Sequence, residues 1–215
     1  MFDLAKADSQ IIVEINRLLQ TRPSPILVAL DGGSGAGKST LASMLEQQVD
    51  CVVVQIDDFF SADIPDWEWD LRSIAERLSD VFEWQRLRSE ALEPLLARRV
   101  ARWHPFDFAA GLRPDGTYAL SPEWVEKQPA SVIILEGAYS SSPEIADLID
   151  LTVLVDVPVL ERHARLEQRE GDKAFLLRWH ALWDAVEAYY YIEVRPNSSF
   201  DLVVSGSSIM PATNA

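Results

Sequence analysis

Gly32-Gly33-Ser34-Gly35-Ala36-Gly37-Lys38-Ser39-Thr40 fits the pattern G-x-x-x-x-G-K-[ST], and its flanks decide the fold. Ile26 to Leu30 ahead of it is a short apolar run of the kind buried on both faces of a sheet, while Leu41, Met44 and Leu45 after it recur at helical spacing. Strand, glycine loop and helix therefore follow in order. Glycines let the backbone curl until successive amides point inward at a pyrophosphate, and the helix N-terminus adds the positive end of its dipole. Lys38 can reach the β and γ phosphates, and Ser39 offers a hydroxyl to Mg²⁺. Gly32, Gly33, Ser34, Gly35, Ala36, Gly37, Lys38, Ser39 and Thr40 are thus the candidate cradle for ATP with Mg²⁺. The plainer alternative is a glycine-rich turn between a strand and a helix.

Working outward, Val52 to Ile56, Val132 to Leu135, Leu151 to Val155 and a weaker Leu202 to Val204 read as further strands, with helical patterns between several of them. Alternation of this kind predicts an α/β fold: a predominantly parallel five-stranded sheet with helices on both faces. Asp8 to Gln20 carries Ile11, Ile12, Ile15, Leu18 and Leu19 on one face and predicts an amphipathic helix ahead of Pro23 and Pro25. Pro158 to Arg169 and Phe175 to Ile192 predict two more helices. Between the second and third strands the pattern changes. This stretch holds tryptophans, prolines, a Pro114-Asp115-Gly116 turn signal and an apolar helical pattern at Leu87, Leu92, Leu95 and Leu96 that Pro94 should bend or break. We expect one domain over residues 1–215, with an insertion at about 61–128 shaped for a second ligand, and a fraying tail at about 205–215.

The chain has 215 residues, 48% hydrophobic and 25% charged, which suits a globular protein with a full core. Nineteen basic and thirty-four acidic residues leave a formal charge of −15, which repels nucleic acid and anionic membrane surfaces. The single cysteine, Cys51, cannot form an internal disulfide and reads as a small core residue. With no apolar run of spanning length and no signal-like N-terminus, we expect a cytoplasmic protein.

In an open α/β sheet ligands bind beyond the carboxyl ends of the strands, so polar residues just after strand runs are the first candidates for chemistry. Asp57-Asp58-Phe59-Phe60 and Glu136-Gly137 stand at such places, beside the glycine loop. Together they form the parts of a metal-assisted phosphoryl-transfer site. Asp57 is the candidate base, also placed to assist the metal, while Glu136 opposite Ser39 is the candidate metal carboxylate. A helix cap at the strand end is the structural alternative for Asp57 or Asp58, and Asp58 reads mainly as a cap or as support. Arg162, Arg165 and Arg169 fall along one helix face that could close over phosphates, or could simply pair with Glu161, Glu167 and Glu170. His104, His163 and His180 show no metal-ligand spacing with one another or with Cys51, so no zinc site is expected.

These residues resemble the uridine kinase family and its phosphoribulokinase-like relatives among the P-loop kinases. GGSGAGKST is similar to that family's phosphate loop, IDDFF to its strand-ending acidic-aromatic motif, and IILEG to its third-strand acid. FEWQRLRSEALEPL, ARWHPFDF and VDVPVLERHARLEQRE follow in the family's order, the last resembling its arginine-bearing lid at about 158–175. The resemblance implies Mg²⁺-dependent transfer of the ATP γ-phosphoryl group to a hydroxyl of a small metabolite, with a nucleoside among the candidate acceptors. It also allows a homo-oligomer. It assigns Asp57 as catalytic aspartate, Lys38 as loop lysine, Ser39 and Glu136 as metal-associated groups, and Arg162, Arg165 and Arg169 as lid arginines. Asp70 takes the place of the acid that holds the acceptor's sugar hydroxyls, with Asp66 as competitor.

The chain departs from the family where uridine and cytidine kinases carry a tyrosine and then a histidine for the pyrimidine, since Phe106 and Gly111 stand there. Losing a hydroxyl and an imidazole weakens hydrogen-bonded reading of a base. Phe106, Phe108, Trp103 and Trp67 could instead line an apolar or stacking pocket, or be core. The competing functional class is a nucleotide-dependent switch with slow hydrolysis and no small acceptor. The absence of an Asn-Lys-x-Asp pattern and the long insertion both disfavour it.

Overall fold

Five short apolar runs pair side by side because each has β-branched or aliphatic residues on both faces and can be buried only between helical layers. A computed structural model describes residues 2–207, with side chains described from Lys6 onward. Strands β1 (Ile26–Asp31), β2 (Cys51–Gln55), β5 (Val132–Glu136), β6 (Leu151–Asp156) and β7 (Leu202–Ser205) form one sheet in the order β2-β5-β1-β6-β7. Every pairing is parallel, and every residue of β1 and β5 is buried.

Alternating side chains feed two cores. Ile26, Val28 and Leu30 of β1 join Val132 and Ile134 on the face covered by α1 (Phe2–Thr21) and α2 (Lys38–Glu46), where Ile11, Ile15, Leu41 and Leu45 are fully buried. Leu27, Ile133, Leu135, Val52 and Val54 face the other way, toward Leu182, Trp183 and Val186 of α7 (Lys173–Tyr189). Each such aliphatic or aromatic side chain contributes about 1.5–3 kcal/mol when fully buried. Cys51 is half-buried at the head of β2, and burial pushes its thiol up to about 11, which keeps it an unreactive thiol.

The insertion is built onto the second core. It contains α3 (Ile74–Asp80), a helical run from α4 (Trp84–Arg86) to α5 (Glu93–Leu96), and an antiparallel ribbon of β3 (Ala101–Trp103) with β4 (Val125–Lys127). Ser73 and Glu76 form a reciprocal capping box at the start of α3. Pro94 does not break the helical run; the turns at Leu87–Leu92 widen to π geometry just before it, a local change of hydrogen bonding where a residue without an N–H is accommodated. The ribbon was not legible as strands. Phe60 knits insertion to sheet, with ring centroids 5.1 Å from Phe106, 5.7 Å from Trp183 and 5.8 Å from Trp69.

Helix α1 begins well ahead of the expected Asp8, and α7 passes after Tyr189 into a π turn at Tyr190–Val194. The first residues of the tail expected from about Ser205 are ordered. Ser205 ends β7, and Gly206 N–H donates to the Asp156 carbonyl at 3.0 Å; residues 208–215 lie outside the described residues. No helix among the described residues is long and apolar enough to cross a membrane.

Candidate active site

Parallel register brings three strand ends to one edge, with Leu30 and Gln55 both aligned on Glu136. The glycine loop leaves β1 here and enters α2 at Lys38. Gly37 precedes that helix in left-handed backbone, and no side chain among the described residues caps it, so its first amides stay directed into the loop. Lys38 is buried, and its Nζ donates to the carbonyls of Gly32 at 2.8 Å and Gly33 at 3.2 Å.

Asp31, one residue before the loop, is wholly buried and was not singled out from the sequence. Its carboxylate accepts five hydrogen bonds: from the backbone N–H of Gly32, Tyr139 and Ser141 and from the hydroxyls of Tyr190 and Tyr191, all between 2.7 and 2.9 Å. One side chain thereby ties the loop's first residue to the segment after β5 and to the end of α7. Buried charge is tolerated when its lone pairs are this fully used.

Asp57 follows β2 in the short helical turn Ile56–Phe59, where its surface is exposed although protein atoms surround it. Partial desolvation by those atoms raises its carboxyl above the usual aspartate range, opposed by the charges of Lys38 and Arg169. Glu136 is almost wholly buried and is likewise raised by burial, opposed by Lys38 and reinforced by the neighbouring Asp57 charge, while its side chain hydrogen-bonds Ser39. Gly137 permits this closeness. Its φ is +144°, and a side chain there would collide with Ile56 beside Asp57. Asp58 plays a supporting part, accepting the Trp103 indole N–H at 2.8 Å; desolvation raises its carboxyl and that bond lowers it.

The three arginines of α6 (Val159–Arg169) have different surroundings. Arg162 is buried and donates to the Ser34 carbonyl at 2.9 Å and to Glu187 at 2.8 Å. A side chain at Gly33 would strike its guanidinium and the Glu187 carboxylate, so a larger residue there would have to push this pair aside. Arg165 donates to the carbonyls of Gly35 and Ala36 at 3.2 and 3.3 Å, to Gly206 and to Glu161. Arg169 is exposed, pairs with Glu170 at 2.8 Å and bears electrostatically on Asp57. Arg162 and Arg165 thus hold loop carbonyls, whereas Arg169 bears on Asp57 through its charge.

On the insertion, Phe106 is buried in the aromatic core and Phe108 is exposed, 4.5 Å from it between ring centroids. Trp103 is wholly buried and Trp67 mostly exposed, so these four aromatics do not line one pocket. Asp70 and Asp66 share Arg178, at 2.7 and 3.2 Å, and Tyr118 donates to Asp66. Glu187, which accepts the Ser34 N–H at 2.8 Å, is a further loop-contacting residue that the sequence did not single out.

Comparisons with known proteins find similar chains and similar folds. A Zeta toxin family model matches residues 10–85, the stretch that carries the glycine loop and Asp57. A uridine kinase from Borrelia turicatae is 26% identical over 187 residues, covering 83% of this chain and 85% of that protein. Among solved structures, a possible uridine kinase from Bacillus stearothermophilus superposes with a TM-score of 0.66 at 18% identity, covering 93% of this chain and 99% of that one. D-glycerate 3-kinase from Cryptococcus neoformans var. grubii superposes at 0.56 with 14% identity, covering 86% and 89%. A parallel sheet of this order bearing this loop is the fold seen in P-loop kinases. In sequence the chain resembles the uridine kinases, a likeness that supports an ATP-dependent small-molecule kinase.

Proposed function

We propose that this kinase moves the γ-phosphoryl group of Mg-ATP to a hydroxyl of a small metabolite, with nucleosides as the first acceptor class to test. The observation that carries this reading is the convergence of Lys38, Ser39, Asp57 and Glu136 at one sheet edge. The donor set fits the cation: a hydroxyl and two carboxylates are hard oxygen ligands of the kind Mg²⁺ selects. Ser39 and Glu136 would hold it, with Asp57 alongside. When bound, Mg-ATP supplies the transferable group and a cation that neutralises its oxygens.

The remaining work falls to the chain itself. Loop amides and the start of α2 orient the phosphates, and Lys38 exchanges its loop carbonyls for phosphate oxygens. Asp57 accepts the proton of the acceptor hydroxyl, a task suited to a carboxyl whose raised pKa makes it a better base than a free aspartate. Arg169, exposed and electrostatically linked to Asp57, meets charge developing on the transferring oxygens. The exposed Phe108 and the Asp66–Asp70–Arg178 group offer an apolar face and fixed acids for the acceptor.

The test is ADP release from Mg-ATP across a panel of nucleosides, sugars and other alcohols, each run beside Asp57→Ala. Stimulation by one acceptor that disappears in the variant supports the proposal and names the substrate class. ATP binding with no acceptor-dependent turnover would favour a nucleotide switch.

A further inference from the structure

The polar pairing between α6 and α7 extends beyond the loop contacts. Glu170, Gly171 and Asp172 alone join the two helices, which fold back against each other. Helix α6 buries Arg162 and Leu166, so polar contacts do much of the work of holding it down. Next to Arg162, His163 faces His180 and Asp184 of α7. The His180 Nδ1 lies 2.9 Å from Asp184 Oδ1, His163 Nε2 lies 3.6 Å from the same oxygen, and the imidazole centroids are 4.2 Å apart. One ligand atom from each residue falls within 4.8 Å of the others.

We propose that His163, His180 and Asp184 form a binding site for a divalent transition metal of the zinc class. A tetrahedral ion with bonds of about 2.0–2.1 Å to nitrogen and oxygen has donor-to-donor edges of roughly 3.3–3.4 Å, and the observed 2.9 and 3.6 Å straddle that value. His180 and Asp184 stand one helical turn apart, which puts both on one face of α7, and the facing helix supplies the third ligand. All three side chains are partly exposed, which leaves an entry path and a fourth position for water. Two imidazoles with one carboxylate suit Zn²⁺, Co²⁺ or Ni²⁺ rather than Mg²⁺, which separates this site from the oxygen donors at Ser39 and Glu136. The formal charge of −15 favours cation capture generally.

The site has a structural consequence. His163 adjoins Arg162, and Asp184 lies one turn before Glu187, so a bound ion cross-links the two helices beside the pair that grips Ser34. Metal occupancy holds α6 against the glycine loop.

The test needs no kinase assay, so its failure is separate from failure of the proposed reaction. The full chain is titrated with Co²⁺ in excess Mg²⁺, reading the visible absorption of tetrahedral Co²⁺, and then with Zn²⁺ as competitor. The expected result is saturable binding of a single Co²⁺ displaced by Zn²⁺, weakened by about 100-fold or more in both His163→Gln and Asp184→Asn, and a rise in unfolding midpoint with Zn²⁺ that both variants lose. Circular dichroism checks that each variant is folded. Absence of saturable binding at millimolar Co²⁺, or binding unchanged in both folded variants, overturns the proposal.

Discussion

Glu187 meets Arg162 at 2.8 Å beneath the glycine loop, and between them they hold the Ser34 backbone at both its N–H and its carbonyl. Both side chains are more than nine-tenths buried. A pair so placed gains little net stability over apolar residues, because removing two charges from water offsets most of their attraction. Its effect is positional: it joins α6 and α7 to the loop that orients the phosphates.

That arrangement makes Glu187→Ala costly and a double apolar replacement mild. Removing one partner strands a buried charge, so Glu187→Ala should destabilise by about 3–5 kcal/mol, whereas Arg162→Met with Glu187→Leu should recover most of the loss. Urea unfolding of the parent, Arg162→Met, Glu187→Leu and the double variant, beside Glu187→Ala, measures it. A double variant whose loss equals the sum of the two single losses would show that the pair is not acting as a unit.

Asp31 should be the most sensitive polar position near the loop. Tyr190→Phe and Tyr191→Phe each remove one bond to a charged acceptor and should each cost about 1.5–3 kcal/mol. Asp31→Asn should cost more than either, because its amide group turns N–H donors toward donors already pointing inward. Chemical denaturation with the three variants side by side tests the ranking.

Asp57→Ala should lower turnover by about 10²- to 10⁴-fold while leaving ATP affinity largely intact. Because the folded carboxyl is raised, the acid limb of the pH–rate profile should fall above the ordinary aspartate value of about 3.9.

The same shift bears on stability. A carboxyl raised on folding binds its proton more tightly in the folded state, so its effect is harmless below the unfolded pKa and turns unfavourable as pH rises through the folded one. Asp57→Asn should therefore unfold at higher denaturant than the parent at pH 7, and the difference should vanish as the pH is lowered past both values. A variant less stable than its parent at pH 7 would contradict this sign.

Arg165 and Arg169 should separate in experiment. Arg169→Ala should reduce kcat and leave stability within about 0.5 kcal/mol, since its side chain is exposed. Arg165→Ala should lower the unfolding midpoint as well, because it frees the Gly35, Ala36 and Gly206 carbonyls at once. Thermal unfolding alongside steady-state kinetics distinguishes them.

Around the glycine loop and the strand ends, where neighbours in the chain are neighbours in space, the sequence by itself was sufficient. Ile26 to Thr40 reads as strand, loop and helix, and Asp57 and Glu136 are legible because each directly follows an apolar strand run of a parallel sheet. Trp103 and Phe106 were ambiguous between ligand pocket and core, and the tertiary structure buries both, bringing Asp58 to the Trp103 indole and Phe60 to Phe106. Only that structure shows that Asp31 gathers donors from the loop, from the segment after β5 and from the end of α7. Periodicity placed Arg162, Arg165 and Arg169 on one helix face but could not tell which would turn under the loop, and spacing set His163 and His180 apart although α6 and α7 bring them together. Local motifs are written in consecutive residues, whereas these contacts depend on how helices cross at the carboxyl edge of the open sheet, which is settled by packing of the whole chain.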